Sequence, residues 1–530
     1  MEIHCTHIPY EHTGSFSNIV IDYLHQSQQL QPFYQHPVSL QGIKASIRAR
    51  QAFSTNRPLL VRELEKQYAG LPLSSKQQEN IQSLLSPDTF TVTTAHQPNI
   101  FTGPLYFIYK IIHTIKMADG LKEELPGYHF VPVYYMGSED ADLDELGHIH
   151  LNGEKLVWQT DQTGAVGRMK VDRALLQLID TINGQIGVQD FGPELVNLFR
   201  KTYTEGKTIQ QATLELVNEL FATFGLLVVI PDNPELKRSF NPVIQQEVEQ
   251  RFSHQAVAAT IAALGRSYKV QAGGRDLNLF YLINDKRERI ELKGLRYIVP
   301  ALNLEWSREG ILQELTSFPE RFSANVILRG LFQETILPNI AFIGGGGELA
   351  YWLELKKVFE AAQVPYPLLM LRNSFLLIDS KSKRLINKLN LSYTDLFKTA
   401  LELTNNLVTN ASANQLSLAK EMEELVRFYA QLATTAGKVD GPLARHTEAL
   451  KTQAFKKLGA LEKKMLRAEK RKFTEQQAQI EQIKHQLFPG NNLQERVGNF
   501  STYYAVTGKH WLQDIYQASS IFNTAFTVVE

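Results

Sequence analysis

Residues 90–136 read FTVTTAHQPNIFTGPLYFIYKIIHTIKMADGLKEELPGYHFVPVYYM, and the order of signals in this stretch decides the fold. Residues 90–95 are β-branched and alternating, which suits a buried strand. The next eight residues, HQPNIFTG, hold a His, a Pro, an Asn and a Gly, so the strand must end there. Pro104 stands where a first helical turn tolerates a residue without an N–H. Leu105, Ile108, Ile112, Ile115 and Met117 then recur at helical spacing as far as a stop at Asp119 and Gly120. Residues 130–136 read as a second strand. Strand, loop, helix and strand make a βαβ unit with a right-handed crossover. Ligands of such units sit at the carboxyl ends of the strands, beside the helix N-terminus. His96, Gln97, Asn99, Thr102 and Gly103 therefore fall where an anion or nucleotide is held.

The whole chain narrows the class. Its 530 residues allow two or three domains with sizeable cores. The 55 basic and 55 acidic residues cancel, which disfavours a large nucleic-acid partner. A single cysteine, Cys5, excludes an internal disulfide framework and cysteine-rich zinc sites, so no zinc is expected. His148 and His150 alone are too few ligands for a zinc site. No apolar run approaches twenty residues, and the N-terminal residues lack a leader pattern. The expectation is a soluble cytoplasmic protein with no membrane partner.

Before the βαβ unit, residues 1–88 read as mixed and largely helical. After it, residues 137–150, GSEDADLDELGHIH, carry five acids in seven residues directly behind a strand. Glu139, Asp140, Asp142 and Asp144 could bind an amine, ribose hydroxyls or Mg²⁺. A solvated acidic turn capping the next helix explains the same residues. Residues 151–222 read as an insertion, with a small β element near 155–159 and 167–171 and then three amphipathic helices. Residues 226–230, LLVVI, return to the buried-strand pattern. A second insertion covers about 268–320, where Gly273 and Gly274 suit a hairpin turn better than a phosphate loop.

Residues 337–352, LPNIAFIGGGGELAYW, are the second informative stretch. A strand over 340–343, the glycines Gly344, Gly345, Gly346 and Gly347, and a helix over 348–360 let the backbone approach a phosphate or carboxylate. A plain tight turn is the alternative, because the run matches neither GxGxxG nor a P-loop. Another strand, 366–372, ends at Arg372, where a guanidinium could meet an anion. From about residue 385 the chain changes character. Leu418, Met422, Leu425, Tyr429 and Leu432 follow heptad spacing, and the repeat resumes from Ala454 to Leu487 with a slip near Phe473. This predicts an antiparallel helical hairpin over 385–490. Residues 491–530 turn aromatic and are expected to pack back on the 1–384 core.

Four segments together resemble the BshC family, the cysteine-adding ligases of bacillithiol biosynthesis. They are TGPLY (102–106), GSEDADLDEL (137–146), LPNIAFIGGGGELAYW (337–352) and LQERVGNF (493–500), in the same order around the same coiled-coil segment. The resemblance implies an α/β fold: a Rossmann-like parallel-sheet core similar to class I synthetases and nucleotidyltransferases, with inserted elements and a coiled coil used for homodimerisation. It implies amide formation between cysteine and glucosaminyl malate, with ATP expected as the activating nucleotide and Mg²⁺ as a further candidate. On this reading His96, Asn99, Thr102 and Asp140 carry the chemistry. Gln97, Gly103, Tyr106, Glu139, Asp142, Asp144, Glu348, Tyr351 and Arg372 contact substrates, and Gly344–Gly347 contact the nucleotide. The sequence has no KMSKS-type loop, and only His96 stands at a HIGH-like place. A synthetase-like nucleotidyltransferase acting on another small acid, and a non-catalytic coiled-coil scaffold, remain as rival readings.

Overall fold

In the computed structural model, which describes residues 4–284, 286–522 and 524–530, strand β1 (Thr89–His96) has a parallel neighbour on each side. A central parallel strand is covered on both faces, so its side chains are buried almost without alternation. Its threonines are satisfied inside the sheet. Thr91 and Thr93 donate to Asn339 Oδ1, and Thr94 donates to the Ile343 carbonyl. That is why a polar, β-branched run can lie in a dry core. Helix α1 (Tyr106–Glu124) and strand β2 (His129–Met136) complete the expected βαβ unit, with Thr89 to His96 in register with His129 to Met136.

Further along the chain come the short helix α2 (Leu143–Leu146), strand β3 (Leu227–Val229) and helix α3 (Val326–Ile336). Strand β4 (Asn339–Gly344), helix α4 (Gly346–Trp352) and strand β5 (Leu368–Leu371) follow. The sheet order is β5-β4-β1-β2-β3, and all its pairs are parallel. A core cluster gathers Phe90, Val92, Met117, Leu121, Ile340, Ile343, Leu368 and Met370 with Ile43 and Ile47. Apolar burial of this kind is worth roughly 1.5–3 kcal/mol per large side chain. Because β4 lies parallel beside β1, the loops after His96 and after Gly344 leave the same, carboxyl end of the sheet.

Several local expectations change. Helix α1 runs through Gly120 to Glu124, and a Cβ at Gly120 would lie 2.1 Å from Ile521 Cδ1. That glycine makes room for packing and does not stop the helix. Pro104 stays outside α1, in a bridge with Asn499. The helix expected over 348–360 is two, Gly346–Trp352 and Lys356–Ala362, and the first takes two of the glycines into its first turn. Residues 167–171 form a single helical turn and an isolated bridge, without a strand. Gly273 and Gly274 precede the hairpin of Leu279–Ile283 with Lys286–Arg289, and Gly274 packs on Val257.

The chain folds as two compact units, Met1–Leu376 with Gln494–Val529, and Leu377–Leu493 with Glu530. The division falls at 376 and 494 where the sequence suggested 384 and 490. In the first unit, Cys5–Pro9 pairs antiparallel with Ala525–Val529, so the C-terminal segment returns to the N-terminal unit. In the second, helices α5 (Ala419–Val439) and α6 (Gly441–Lys470) form a hairpin turning at Asp440. The Leu418 N–H bonds Glu462, Gly459 faces Met422 and Gly437 faces Ala444, which fixes the helices as antiparallel. The slip in the repeat near Phe473 is a break before the helix Thr474–Leu487. Among the described residues no helix is long and apolar enough to cross a membrane.

Candidate active site

His96 is the last residue of β1, and Gly344 is the last of β4. The loops behind them open into one cavity of about 490 Å³. His96, Gln97, Tyr106, Glu348, Tyr351, Arg372 and Gly345–Gly347 line it, together with Lys110, Glu145, Arg329 and Arg496. This is the strand-end position at which open parallel sheets bind ligands.

The turn after His96 is strained and firmly held. Phe101, Thr102 and Gly103 have φ of 47°, 70° and 64° in succession, a conformation costly for residues other than glycine. A buried Asn499 donates from Nδ2 to the carbonyls of Phe101 and Gly103, at 3.0 and 2.6 Å. Tyr203 accepts the Phe101 N–H at 2.9 Å. Asn99, Thr102 and Gly103 therefore shape this turn from beneath and do not line the cavity.

Four cations face the cavity, each held differently. Lys110, four residues after Tyr106 on α1, is buried; its Nζ donates to the Ala95 carbonyl at 2.8 Å and meets Glu348 at 2.5 Å. Burial lowers its pKa despite Glu348. Arg372 forms a two-pronged pair with Glu495 and lies 5.3 Å from the Tyr106 ring. Burial alone would lower the Arg372 pKa, but Glu495 outweighs it and raises it. Arg329 lies 3.5 Å from Asp140 and stays charged, Tyr351 and Asp140 offsetting its burial. Arg496 donates to the Ser15 carbonyl.

Beside these cations His96 is neutral. Burial, followed by Lys110, Arg329 and Arg372, holds its pKa well below the ordinary imidazole range, against the opposing hydrogen bond with Asn99. Its Nε2 is buried with no hydrogen-bond partner among the described residues. Tyr106, edge-on to His96 at 5.3 Å, has its pKa pushed up to about 12 by burial and then by Glu145 and Glu348.

The acidic loop does not act as one cluster. Glu139 pairs with Lys237 and accepts from Ser323. Asp140 accepts from Gln97 at 3.1 Å, and although burial would raise its pKa, Arg329 and Gln97 hold it lowered. Asp142 caps α2 by accepting the Glu145 N–H, and Asp144 is exposed. Capping, the bland alternative, is thus what Asp142 does. No three His, Cys, Asp or Glu side chains among the described residues gather as a metal site would need. Gly344 is buried within β4, paired with Leu371, so only the next three glycines face the cavity.

Residue-type reasoning passed over Lys110, Glu145, Arg329 and Arg496. Lys110 did carry a signal, as a lone cation in the apolar run YFIYKIIHTI one turn from Tyr106. Arg496 lies in LQERVGNF, which carries the family resemblance but held no chemistry in isolation. Arg329 reaches the cavity only through the packing of α3.

Two family models cover the chain. "Bacillithiol biosynthesis BshC, N-terminal Rossmann-like domain" matches residues 1–373, and "Bacillithiol biosynthesis BshC, C-terminal coiled-coil domain" matches residues 375–530. The chain belongs to the BshC family. Three BshC relatives, each named "Putative cysteine ligase BshC", are similar over essentially their whole length. The Flavobacterium johnsoniae protein is 38% identical over 98% of this chain and 99% of its own. The Christiangramia forsetii protein is 37% identical over 98% of each chain. The Flavobacterium psychrophilum protein is 36% identical over 99% of each. The Rossmann-like core and the coiled coil of BshC proteins correspond to the parallel sheet and the helical hairpin described above.

Proposed function

We propose that this protein is a ligase that joins the carboxyl of cysteine to the amine of glucosaminyl malate as an amide, the last step of bacillithiol formation, in the cytoplasm. The observation that carries the proposal is the unpartnered Nε2 of a neutral His96 in a cavity lined by Lys110, Arg329, Arg372 and Arg496. Such a lining suits a substrate rich in oxyanions, as a glycoside of malate with its two free carboxylates is. It also suits the negative charge that develops on oxygen during acyl transfer, where positioned donors supply much of the rate. A neutral imidazole can donate a hydrogen bond there without adding charge.

A free carboxylate acylates poorly, so the reaction needs an activating co-substrate. ATP, carrying Mg²⁺ if it enters as its metal complex, would supply a phosphoryl or adenylyl group. Residues Gly345–Gly347 with Lys110 and Arg372 would hold its phosphates. The fit rests on the same positive lining and on Gly347, where a Cβ would meet nothing within 4 Å, so the backbone there is open to a ligand. Arg496 and Arg329 are left to hold carboxylates of the substrate.

Dimerisation through the helical hairpin is part of the proposal. Val426, Phe428, Phe455 and Leu461 are exposed on it, and apolar side chains so placed on a long hairpin favour a helical partner.

Mass spectrometry of cells lacking the protein tests the reaction. Loss of bacillithiol with accumulation of glucosaminyl malate is expected. Unchanged levels of both would leave a synthetase-like activity on another acid, or a scaffold, as the better reading.

A further inference from the structure

Six charged side chains line the cavity, and two of them are acids, Glu145 and Glu348. Glu348 is engaged: its Oε2 accepts the Gly345 N–H at 2.8 Å and meets Lys110 at 2.5 Å. The Glu145 carboxylate makes no hydrogen bond or ion pair among the described residues. Its backbone, in contrast, is fixed. Asp142 caps its N–H at 3.0 Å, and Asn99 Nδ2 lies 3.5 Å from its carbonyl. The side chain thus stands on an anchored turn and faces the cavity with its acceptor atoms unused.

From this geometry we propose that Glu145 binds the amino group of the amine substrate and accepts its proton as the amide forms. The inference rests on the ligase reading above and goes beyond it by assigning the nucleophile's place. Of the two acids in this lining Glu348 is engaged by Lys110, so Glu145 is the carboxylate left to attract an ammonium ion among Lys110, Arg329, Arg372 and Arg496. Tyr106 lies within electrostatic reach of Glu145 and of Arg372 and Arg496. One bound molecule can therefore place an amine at Glu145 and its carboxylates at Arg496 and Arg329, which line the same cavity.

The surroundings of Glu145 also suit a base. Partial burial, then Asp140 and Asp142, raise its pKa above the ordinary glutamate range, with Arg329 opposing. Glu145 is itself exposed, but a carboxylate whose pKa is raised in this way holds a proton better than an ordinary one, as accepting it from an amine requires. In the step itself the amine lone pair forms the C–N bond to the acyl carbon of a phosphate-activated cysteine carboxyl. The bond from that carbon to the phosphate oxygen breaks with its electron pair, and the nitrogen's proton passes to Glu145.

The test compares wild type with Glu145→Gln, which keeps the shape and removes the charge, after thermal melts show both folded. Glucosaminyl malate and its counterpart bearing a hydroxyl in place of the amine are titrated into each by calorimetry. Wild type should prefer the amine at least tenfold, and Glu145→Gln should lose that preference while binding the hydroxyl compound as before. In the ligation assay the variant should be slowed at least tenfold with glucosaminyl malate and recover with hydroxylamine, a weak base that is unprotonated at neutral pH and whose nitrogen gives up its proton to water once the C–N bond forms. If Glu145→Gln keeps the wild-type preference, or loses both compounds equally, the assignment is wrong while the ligase reading stands. If wild type binds neither compound, the ligase reading fails and this assignment fails with it.

Discussion

Arg372 and Glu495 lie 123 residues apart in the chain and meet in a buried two-pronged ion pair, with N···O distances of 2.7 and 2.8 Å. Glu495 also accepts the Phe375 N–H. Its neighbour Arg496 faces the cavity, and Asn499 holds the strained turn at residues 101–103. The short segment from Gln494 to Asn499 thus aims one cavity arginine, supplies another and pins the loop after His96. Glu495→Ala would leave Arg372 buried and unbalanced, a loss of about 3–5 kcal/mol for a pair of this kind. Urea denaturation measures it, and a loss near zero would mean that Arg372 turns to solvent instead.

Gly103 has φ +64°, and a Cβ there would lie 2.7 Å from Asn99. Gly103→Ala should cost roughly 1–3 kcal/mol from backbone strain and the clash together. It should also lower ligation by displacing His96. Thermal melts and the rate assay check the two effects, and an unchanged rate would separate the turn from the chemistry.

The protein should weaken in acid through buried histidines. His113 accepts the Asn373 N–H at Nδ1 and bonds the Ile521 carbonyl at Nε2, so both ring nitrogens are occupied in the neutral form. Burial lowers its pKa to about 4, and burial lowers that of His36 to about 4 as well. His96 is lowered further for the same reason. The unfolded chain, with imidazoles near pH 6.5, binds more protons in this window, so stability rises with pH and levels off above about 6.5. It falls as pH drops from there towards about 4, with each histidine adding up to ~1.4 kcal/mol per pH unit. Urea midpoints across that range measure the slope, and His113→Gln should flatten it. A flat wild-type profile would contradict the burial of these rings.

If the exposed apolar side chains of the hairpin meet a second copy, Phe428→Glu should convert a dimer to a monomer in sedimentation equilibrium. A wild-type monomer at the same concentration would remove that proposal.

How much of this was legible beforehand follows from range. The βαβ unit was readable because alternation, breakers and helical spacing are local, and residues 90–136 carry all three. The placement of His96 and Gly345 in one cavity followed from both loops leaving parallel strands. The acidic loop misled because composition does not show partners: Lys237, nearly a hundred residues away, engages Glu139, while Asp142 serves its own helix. Arg329 and Arg496 were missed for a related reason. An arginine's function depends on what faces it, and Asp140 and Ser15 are brought there only by tertiary packing.

The most direct test of the central claim is ligation of labelled cysteine to glucosaminyl malate with ATP, run with wild type and His96→Leu side by side. The substitution removes the unpartnered Nε2 and keeps an apolar filling against Tyr106 and Phe107, so stability should change by less than about 1.5 kcal/mol. Wild type should form the amide with release of AMP or ADP, and the variant should lose at least about a hundredfold in rate. A folded His96→Leu protein that ligates at the wild-type rate would contradict the account.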